Sequence, residues 1–337
     1  MTYQEVVTAA RGNMGPCKVC PVCDGRACKN TMPGPGAKGV GDVAIRNYAA
    51  WQQVRVNMDV LCAGGEPDTG FDLFGRRFRL PVLAGPVGAV RLHYGDKYDD
   101  LRYNAVLVPA CRDAGIAAFT GDGSDPNVMV AACKAVGEQG GFGIPTVKPW
   151  DPATVAAKMK LVKAAGAFAV AMDVDAAGLP FLQGLTPPAG CKTVEELSGI
   201  IRDAGLPFIV KGIMTPRSAE KAARAGASAI VVSNHGGRVL DQTPATAEVL
   251  PGIAAAVGGQ VKVLVDGGVR TGLDVFKALA LGADGALIAR PFVTAVYGGG
   301  AAGVAAYVDK LTAELSDTMT MCGARTLAEI AGDMLWG

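Results

Sequence analysis

The sequence predicts an α/β fold, a (β/α)8 TIM barrel with a short Cys-rich N-terminal extension, and three observations carry that expectation. Beyond about residue 75, eight short runs rich in β-branched residues alternate with stretches of helical period, and glycines fall at the joints. The runs are mostly apolar throughout, as strands are when helices cover a parallel sheet on all sides. Polar residues gather at the carboxyl ends of the later runs, the rim on which such barrels carry their chemistry.

The expected strands, in order, are "RLPVLAGPVG" (79–88), "IAAFTG" (116–121), "GFGIPTVK" (141–148), "FAVAMDVD" (168–175), "PFIVKG" (207–212), "AIVVSNHG" (229–236), "VKVLVDGG" (261–268) and "GALIARP" (285–291). Helical patterns lie between them at 152–166, 193–205, 218–226 and 273–282, several with Ser or Thr entering and Gly leaving. A doubly wound sheet is the competing arrangement. It uses fewer repeats and opens on G-x-G-x-x-G, which "AGPVGAV" (84–90) does not fit. Residues 1–40 form the cysteine-rich segment and 41–337 the barrel.

Bulk properties narrow the function. Half of the 337 residues are hydrophobic, and 32 Lys and Arg nearly cancel 31 Asp and Glu. Such a chain buries a large core and shows no charge bias toward nucleic acid or an anionic membrane. Apolar runs such as "FKALALGADGALIA" (276–289) are interrupted short of a bilayer span, and the amino terminus lacks a signal-peptide pattern, so a soluble cytoplasmic protein acting on a small molecule is expected.

The rim residues suggest the chemistry. Lys211 ends the fifth run, Asp173 lies near the end of the fourth, and His235, one of only two histidines, ends the sixth with Arg238 close behind. In "VDGGVRTGLD" (265–274), Gly267 and Gly268 stand between a strand and a helix start, where backbone amides and the helix dipole favour an anion; Arg270 and Arg290 can neutralise a phosphate there. A histidine supplies a base near neutrality and an arginine fork suits a carboxylate. His93, in "RLHYGD", reads as a structural histidine.

With these motifs in order, the sequence resembles the FMN-dependent 2-hydroxy acid oxidase and dehydrogenase family, which includes glycolate and lactate oxidases. The resemblance runs from about Val40 to Gly300 and is strongest over 207–291, in "PFIVKGI", "SNHGGRVLD", "DGGVRTGLDVFKALALGA" and "IARP". It implies FMN as cofactor and oxidation of a small 2-hydroxy acid to the 2-oxo acid. His235 would be the base, Arg238 the substrate carboxylate clamp, Lys211 the cation beside the flavin ring, and Asp173 the carboxylate that orients the histidine. Asp266, Gly267, Gly268, Arg270, Ala289 and Arg290 would hold the ribityl chain and phosphate. Ala84, Gly85, Pro86, Val87 and Thr120 would line the ring. Many relatives are homo-tetramers, so a homo-oligomer is expected.

The chain also departs from that family. The segment "DVDAAGLPFLQGLTPPAG" (173–190) lacks the family's second carboxylate-binding arginine, "GIPTVKPW" lacks its glutamine and tyrosine but offers Lys148, and Ala171 replaces a flavin-contacting threonine. Where the family places another tyrosine, this chain reads "CKVCPVCDGRACKN" (17–30). Cys17, Cys20, Cys23 and Cys28 at C-x2-C-x2-C-x4-C spacing suit Zn or an iron–sulfur cluster, near to but not matching the ferredoxin run. Disulfides or free thiols are the alternatives, and Arg26 within the segment is a substitute for the missing arginine. The other five cysteines read as small buried hydrophobes. These departures leave open a different reaction on the same barrel, a reductase or isomerase acting on a substrate that is not a 2-hydroxy acid, or a redox- or metal-sensing protein built on a flavin scaffold.

Overall fold

The computed structural model describes residues 1–186 and 188–337. All eight expected strands form: β1 Val82–Ala84, β2 Phe119–Thr120, β3 Ile144–Val147, β4 Val170–Asp173, β5 Phe208–Ile213, β6 Ala229–Val232, β7 Lys262–Val265 and β8 Gly285–Ile288. They make one 8-stranded sheet in the order β1–β8–β7–β6–β5–β4–β3–β2, with every pairing parallel. A parallel bridge from Ala84 to Ala118, in which the Ala84 amide donates to the Ala117 carbonyl at 3.0 Å, brings β1 against β2 and closes the barrel. Every strand but β5 is shorter than the apolar run that encodes it, because the run continues into the rim loops.

The helices that follow the strands are α1 Asp100–Asp113, α2 Pro126–Glu138, α3 Pro152–Ala164, α4 Val194–Ala204, α5 Pro216–Arg224, α6 Thr246–Val257, α7 Gly272–Ala280 and α8 Arg290–Cys322. Local chemistry sets their ends. At α4, Thr193 and Glu196 cap each other reciprocally, and Gly205 closes the helix with φ 63°. The barrel interior is a second, compact core in which Leu83, Ile144, Ala171, Ile209, Val231, Leu264 and Leu287 meet. Phe71 and Phe78, from an antiparallel hairpin (Phe71–Leu73 with Arg76–Phe78), pack into it. Phe71 lies beside Gly285 at the start of β8, so the hairpin plugs the amino-terminal end and leaves the other end open for chemistry.

Helix α8 is the one helix among the described residues long and apolar enough to cross a bilayer, a feature the sequence reading did not anticipate. Its backbone breaks at Gly300 (φ 55°), 56% of its most apolar window is buried, and it packs on α1, α7 and the helix Tyr3–Ala10. Those contacts make it a core helix. Residues 1–40 share this core, since Val6, Val7, Ala10, Met14 and Val19 belong to the main apolar cluster.

Candidate active site

The carboxyl ends of the strands enclose a cavity of about 160 Å³. Asp173, Lys211, His235, Arg238, Asp266, Gly267, Gly268, Arg270, Ala289 and Arg290, all proposed from sequence, line it together.

His235 sits at its mouth in a left-handed backbone conformation (φ 55°), followed by Gly236 (φ 63°) and Gly237 (φ 81°). That turn, uncommon for a residue with a side chain, throws the imidazole off the end of β6 and back over the barrel. The imidazole Nδ1 lies 3.1 Å from Asp175 Oδ1, with the side chains 18% and 9% exposed. This corrects the expected partner: the carboxylate on the ring is Asp175, and Asp173 instead binds Lys148 Nζ at 3.1 Å. The reason lies in the backbone. β4 ends at Asp173 and turns into a short 3-10 helix, so Asp175 swings over β5. There β5 carries a register shift between Lys211 and Ile213, with Gly212 at φ 104°. A Cβ on Gly212 would lie 2.5 Å from Asp175 Cβ and Cγ, so the glycine is what admits the carboxylate.

Burial, seconded by Lys211, pushes the His235 imidazole below its ordinary value, while Asp175 opposes the shift. The ring is therefore neutral at neutral pH, with Nδ1 engaged and Nε2 left for a ligand. Burial also works against charge on Asp175, but Lys211 and His235 outweigh it and hold the carboxyl below its usual range. Lys211 is itself buried; Asp266, Asp175 and Asp173 overcome that burial and hold its pKa above the ordinary lysine value, so it stays a cation. Its Nζ is 3.4 Å from Asp266 Oδ2 and 2.9 Å from Ser233 Oγ.

Arg238 reaches across the mouth to the carbonyls of Gly34 and Gly36, and its Nη2 is buried without a partner. Thr120 Oγ1, Thr146 Oγ1, Asp173 Oδ1 and Asp266 Oδ1 are likewise buried and unpartnered. Buried polar atoms without partners cost about 1–3 kcal/mol each. Their clustering at one end of one barrel marks a site built for a polar ligand.

Gly267 and Gly268 have φ of 84° and 89°. Added Cβ atoms there would strike Asn47 and Trp51, so the pair is required by the close docking of the helix Val43–Gln53 as well as by any anion. Trp51 Nε1 donates to Gly267 O at 2.8 Å, and Asn47 exchanges amide hydrogen bonds with Asn234 at 2.7 and 2.8 Å. This helix thus braces the loops after β6 and β7, a role the sequence did not signal. Arg290 Nη1 lies 3.4 Å from Pro35 O, and Arg270 Nε donates to Cys23 O at 2.8 Å. Pro86 and Val87 line the cavity, whereas Ala84, Gly85 and Thr120 are fully enclosed behind it. A Cβ on Gly85 would come 3.2 Å from Ala289 Cβ across the β1–β8 seam, a tight contact.

Other expectations need revision. His93, read as a structural histidine, also lines the cavity at 8% exposure, and its Nδ1 has no partner. Burial, with Arg238, Lys148 and His235 nearby, pushes it down to about 3, so it stays neutral. Arg26 pairs with Asp24 at 2.5 Å and is 66% exposed, so it does not replace the missing arginine. Phe181 lines the cavity from that segment instead. Asp122, unremarked in the sequence, is a buried hub that holds Lys158 Nζ at 2.6 Å, Trp150 Nε1 at 2.7 Å and the Lys148 amide at 3.1 Å, fixing the ends of β2 and β3. Of the five scattered cysteines, Cys62 and Cys191 are exposed.

The four clustered thiols are all partly buried. Among the described residues, the one set of three or more His, Cys, Asp or Glu donors within 4.8 Å of one another is Asp173, Asp175 and His235. The thiols are thus not gathered tightly enough for a single tetrahedral Zn, whose short Zn–S bonds need sulfurs closer than that.

Residues 35–181 and 187–337 match the family of FMN-dependent dehydrogenases. The chain belongs to that family. An L-lactate oxidase from Roseobacter sp. (strain GAI101) is 46% identical over 145 residues, 43% of this chain and 39% of that protein. An L-lactate dehydrogenase from Stenotrophomonas maltophilia (strain K279a) is 52% identical over 129 residues, 38% of this chain and 34% of that protein. The aligned part therefore spans between a third and two-fifths of these curated relatives. The fold likeness is wider. A mandelate oxidase variant with 2-hydroxy-phenylacetamide superposes with a TM-score of 0.81 at 28% identity, over 99% of this chain and 97% of that one. A second variant, with (S)-mandelic acid, gives 0.77 at 30% identity, over 89% and 91%.

The cavity of this FMN-dependent dehydrogenase family member fits the cofactor that the family name implies. Thr146, with its unpartnered hydroxyl, and the Lys211 cation would meet the polar edge of a flavin ring, and a phosphate would find two arginines beside the Gly267–Gly268 turn.

Proposed function

We propose that the protein is an enzyme that oxidises a small 2-hydroxy acid, of the lactate or glycolate kind, to the 2-oxo acid with FMN as cofactor. One observation carries this reading: the neutral His235, backed on Nδ1 by Asp175, shares a cavity with the unpartnered guanidinium nitrogen of Arg238. Such a pair fits a molecule with a hydroxyl beside a carboxylate. The names of the relatives, lactate oxidase, lactate dehydrogenase and mandelate oxidase, support the same substrate class.

Arg238 takes the carboxylate and so fixes the hydroxyl-bearing carbon. His235 Nε2 accepts the hydroxyl proton, and Asp175 stabilises the resulting imidazolium. Lys211 stays charged and offsets negative charge at the cofactor ring. Asp266, Arg270, Arg290 and the glycine turn would hold the ribityl chain and phosphate. FMN, when bound, would accept a hydride equivalent, the hydrogen of the carbinol carbon with its two electrons, which leaves the 2-oxo acid once the hydroxyl proton is on His235. Lys148, Asp173 and Phe181 line the cavity together, so they shape the substrate end of the chamber. On the resemblance alone we also carry forward a homo-tetramer, which light scattering tests.

The reading is tested by anaerobic titration of the purified, flavin-loaded protein with lactate, glycolate, 2-hydroxybutyrate and mandelate. At least one should bleach the flavin absorbance. Failure of all four, while a reduced nicotinamide or a prenyl diphosphate perturbs the spectrum, moves the protein to the alternative reaction class.

A further inference from the structure

We propose that Cys17, Cys20, Cys23 and Cys28 are the ligands of an iron–sulfur cluster that fastens the amino-terminal strap over the cofactor cavity. Four observations lead there. Residues 11–42 hold neither helix nor strand, yet they lie against the barrel mouth. Loops of that length without secondary structure are uncommon in a compact domain, and ordered ones are usually functional. The four thiols fall within this stretch, all partly buried. Their sulfurs are not packed for a single ion. A polynuclear cluster, by contrast, takes one thiolate at each of several metal atoms and so spaces its sulfurs more widely.

The surroundings suit a negatively charged group. Arg270 Nη2 lies 3.7 Å from Cys23 Sγ. Hydrogen bonds to the sulfurs and nearby cations are how proteins tune such clusters. Val19, between the first two cysteines, is held at φ 47°, a conformation that a β-branched residue adopts only under constraint.

The strap does more than cover the site. Its carbonyls hold the three arginines of the cavity: Gly34 and Gly36 on Arg238, Pro35 on Arg290, and Cys23 on Arg270. Binding free energy at the thiols is therefore also ordering free energy for the arginines.

Protein purified without oxygen, and the same protein reconstituted with ferrous iron and sulfide, is assayed for iron, acid-labile sulfide, zinc and flavin. Iron and labile sulfide in matching amounts, with an EPR signal after dithionite reduction, are expected. The Cys20→Ser variant should lose iron and sulfide and become open to trypsin at Lys18 and Lys29, both exposed on the strap. Zinc alone, disulfides, or free thiols with no iron after reconstitution would overturn the assignment. So would a Cys20→Ser protein with undiminished iron. Because flavin is measured on the same samples, iron without flavin leaves this inference standing and sinks the cofactor reading; flavin without iron does the reverse. Should Cys20→Ser fail to fold, the wild-type iron and sulfide content decides alone.

Discussion

Replacing Asp175 by Asn keeps the shape of the side chain and removes its charge, which isolates what the carboxylate does for His235. At the observed 3.1 Å, a full charge pair in an effective dielectric of about 20 is worth about 5 kcal/mol. Desolvation of the pair takes back part of that. A net of about 2–4 kcal/mol remains for the imidazolium over the neutral ring, in line with hydrogen bonds to charged groups. A step that creates the imidazolium should then slow roughly 30- to 1000-fold. The assay is stopped-flow flavin reduction under saturating hydroxy acid, with flavin content and circular dichroism as controls. The pH profile adds a second readout. The base must be neutral, so activity is present above the His235 pKa and lost as pH falls through it. Asp175 raises that pKa against burial and Lys211, so in Asp175→Asn the acid limb should move to lower pH while the plateau drops. A change under threefold, or an Asp173→Asn protein that shifts the acid limb further than Asp175→Asn, would refute the assignment.

Gly212→Ala should reproduce much of that loss while retaining FMN, because the new Cβ displaces Asp175 and the φ of 104° at residue 212 disfavours alanine; normal turnover would show that the site tolerates the shift. Arg238→Leu should cut kcat/KM by about 100-fold or more, the cost of losing a charged, hydrogen-bonded partner, with flavin content unchanged; an unaltered KM and kcat would remove Arg238 as the clamp. Lys158→Met leaves Asp122 as a buried charge deprived of its 2.6 Å partner, and should destabilise the protein by about 3–5 kcal/mol, read as a lower denaturation midpoint. A midpoint equal to wild type would mean that Trp150 and the backbone amides suffice.

The barrel was legible because eight apolar runs alternate with helical pattern, and a strand forms at each of those runs. The register of the site was less so. In "DVD", both carboxylates lie near the end of one strand, and choosing between them requires knowing that β4 stops at Asp173 and that Gly212 opens space above β5. The pairing of Arg55–Val56 with Leu335–Trp336 has two residues on each side, too few for any periodicity. Helix α8 was unreadable past Arg290, since "YGGGAAG" reads as a break; burial of one face overrides the glycines, and only Gly300 departs from helical geometry. His93 offers no motif, and reaches the cavity because the short helix Val90–Tyr94 folds back beneath Phe181, with ring centroids 6.0 Å apart.

The claim on which the mechanism turns is that His235 removes the substrate proton inside the flavin cavity. The direct measurement is the rate of flavin reduction in His235→Ala, with FMN content matched to wild type. The account predicts a protein that stays yellow, binds the hydroxy acid and reduces its flavin about a thousandfold more slowly, a loss in the middle of the range for general-base contributions. Reduction at the wild-type rate would contradict it.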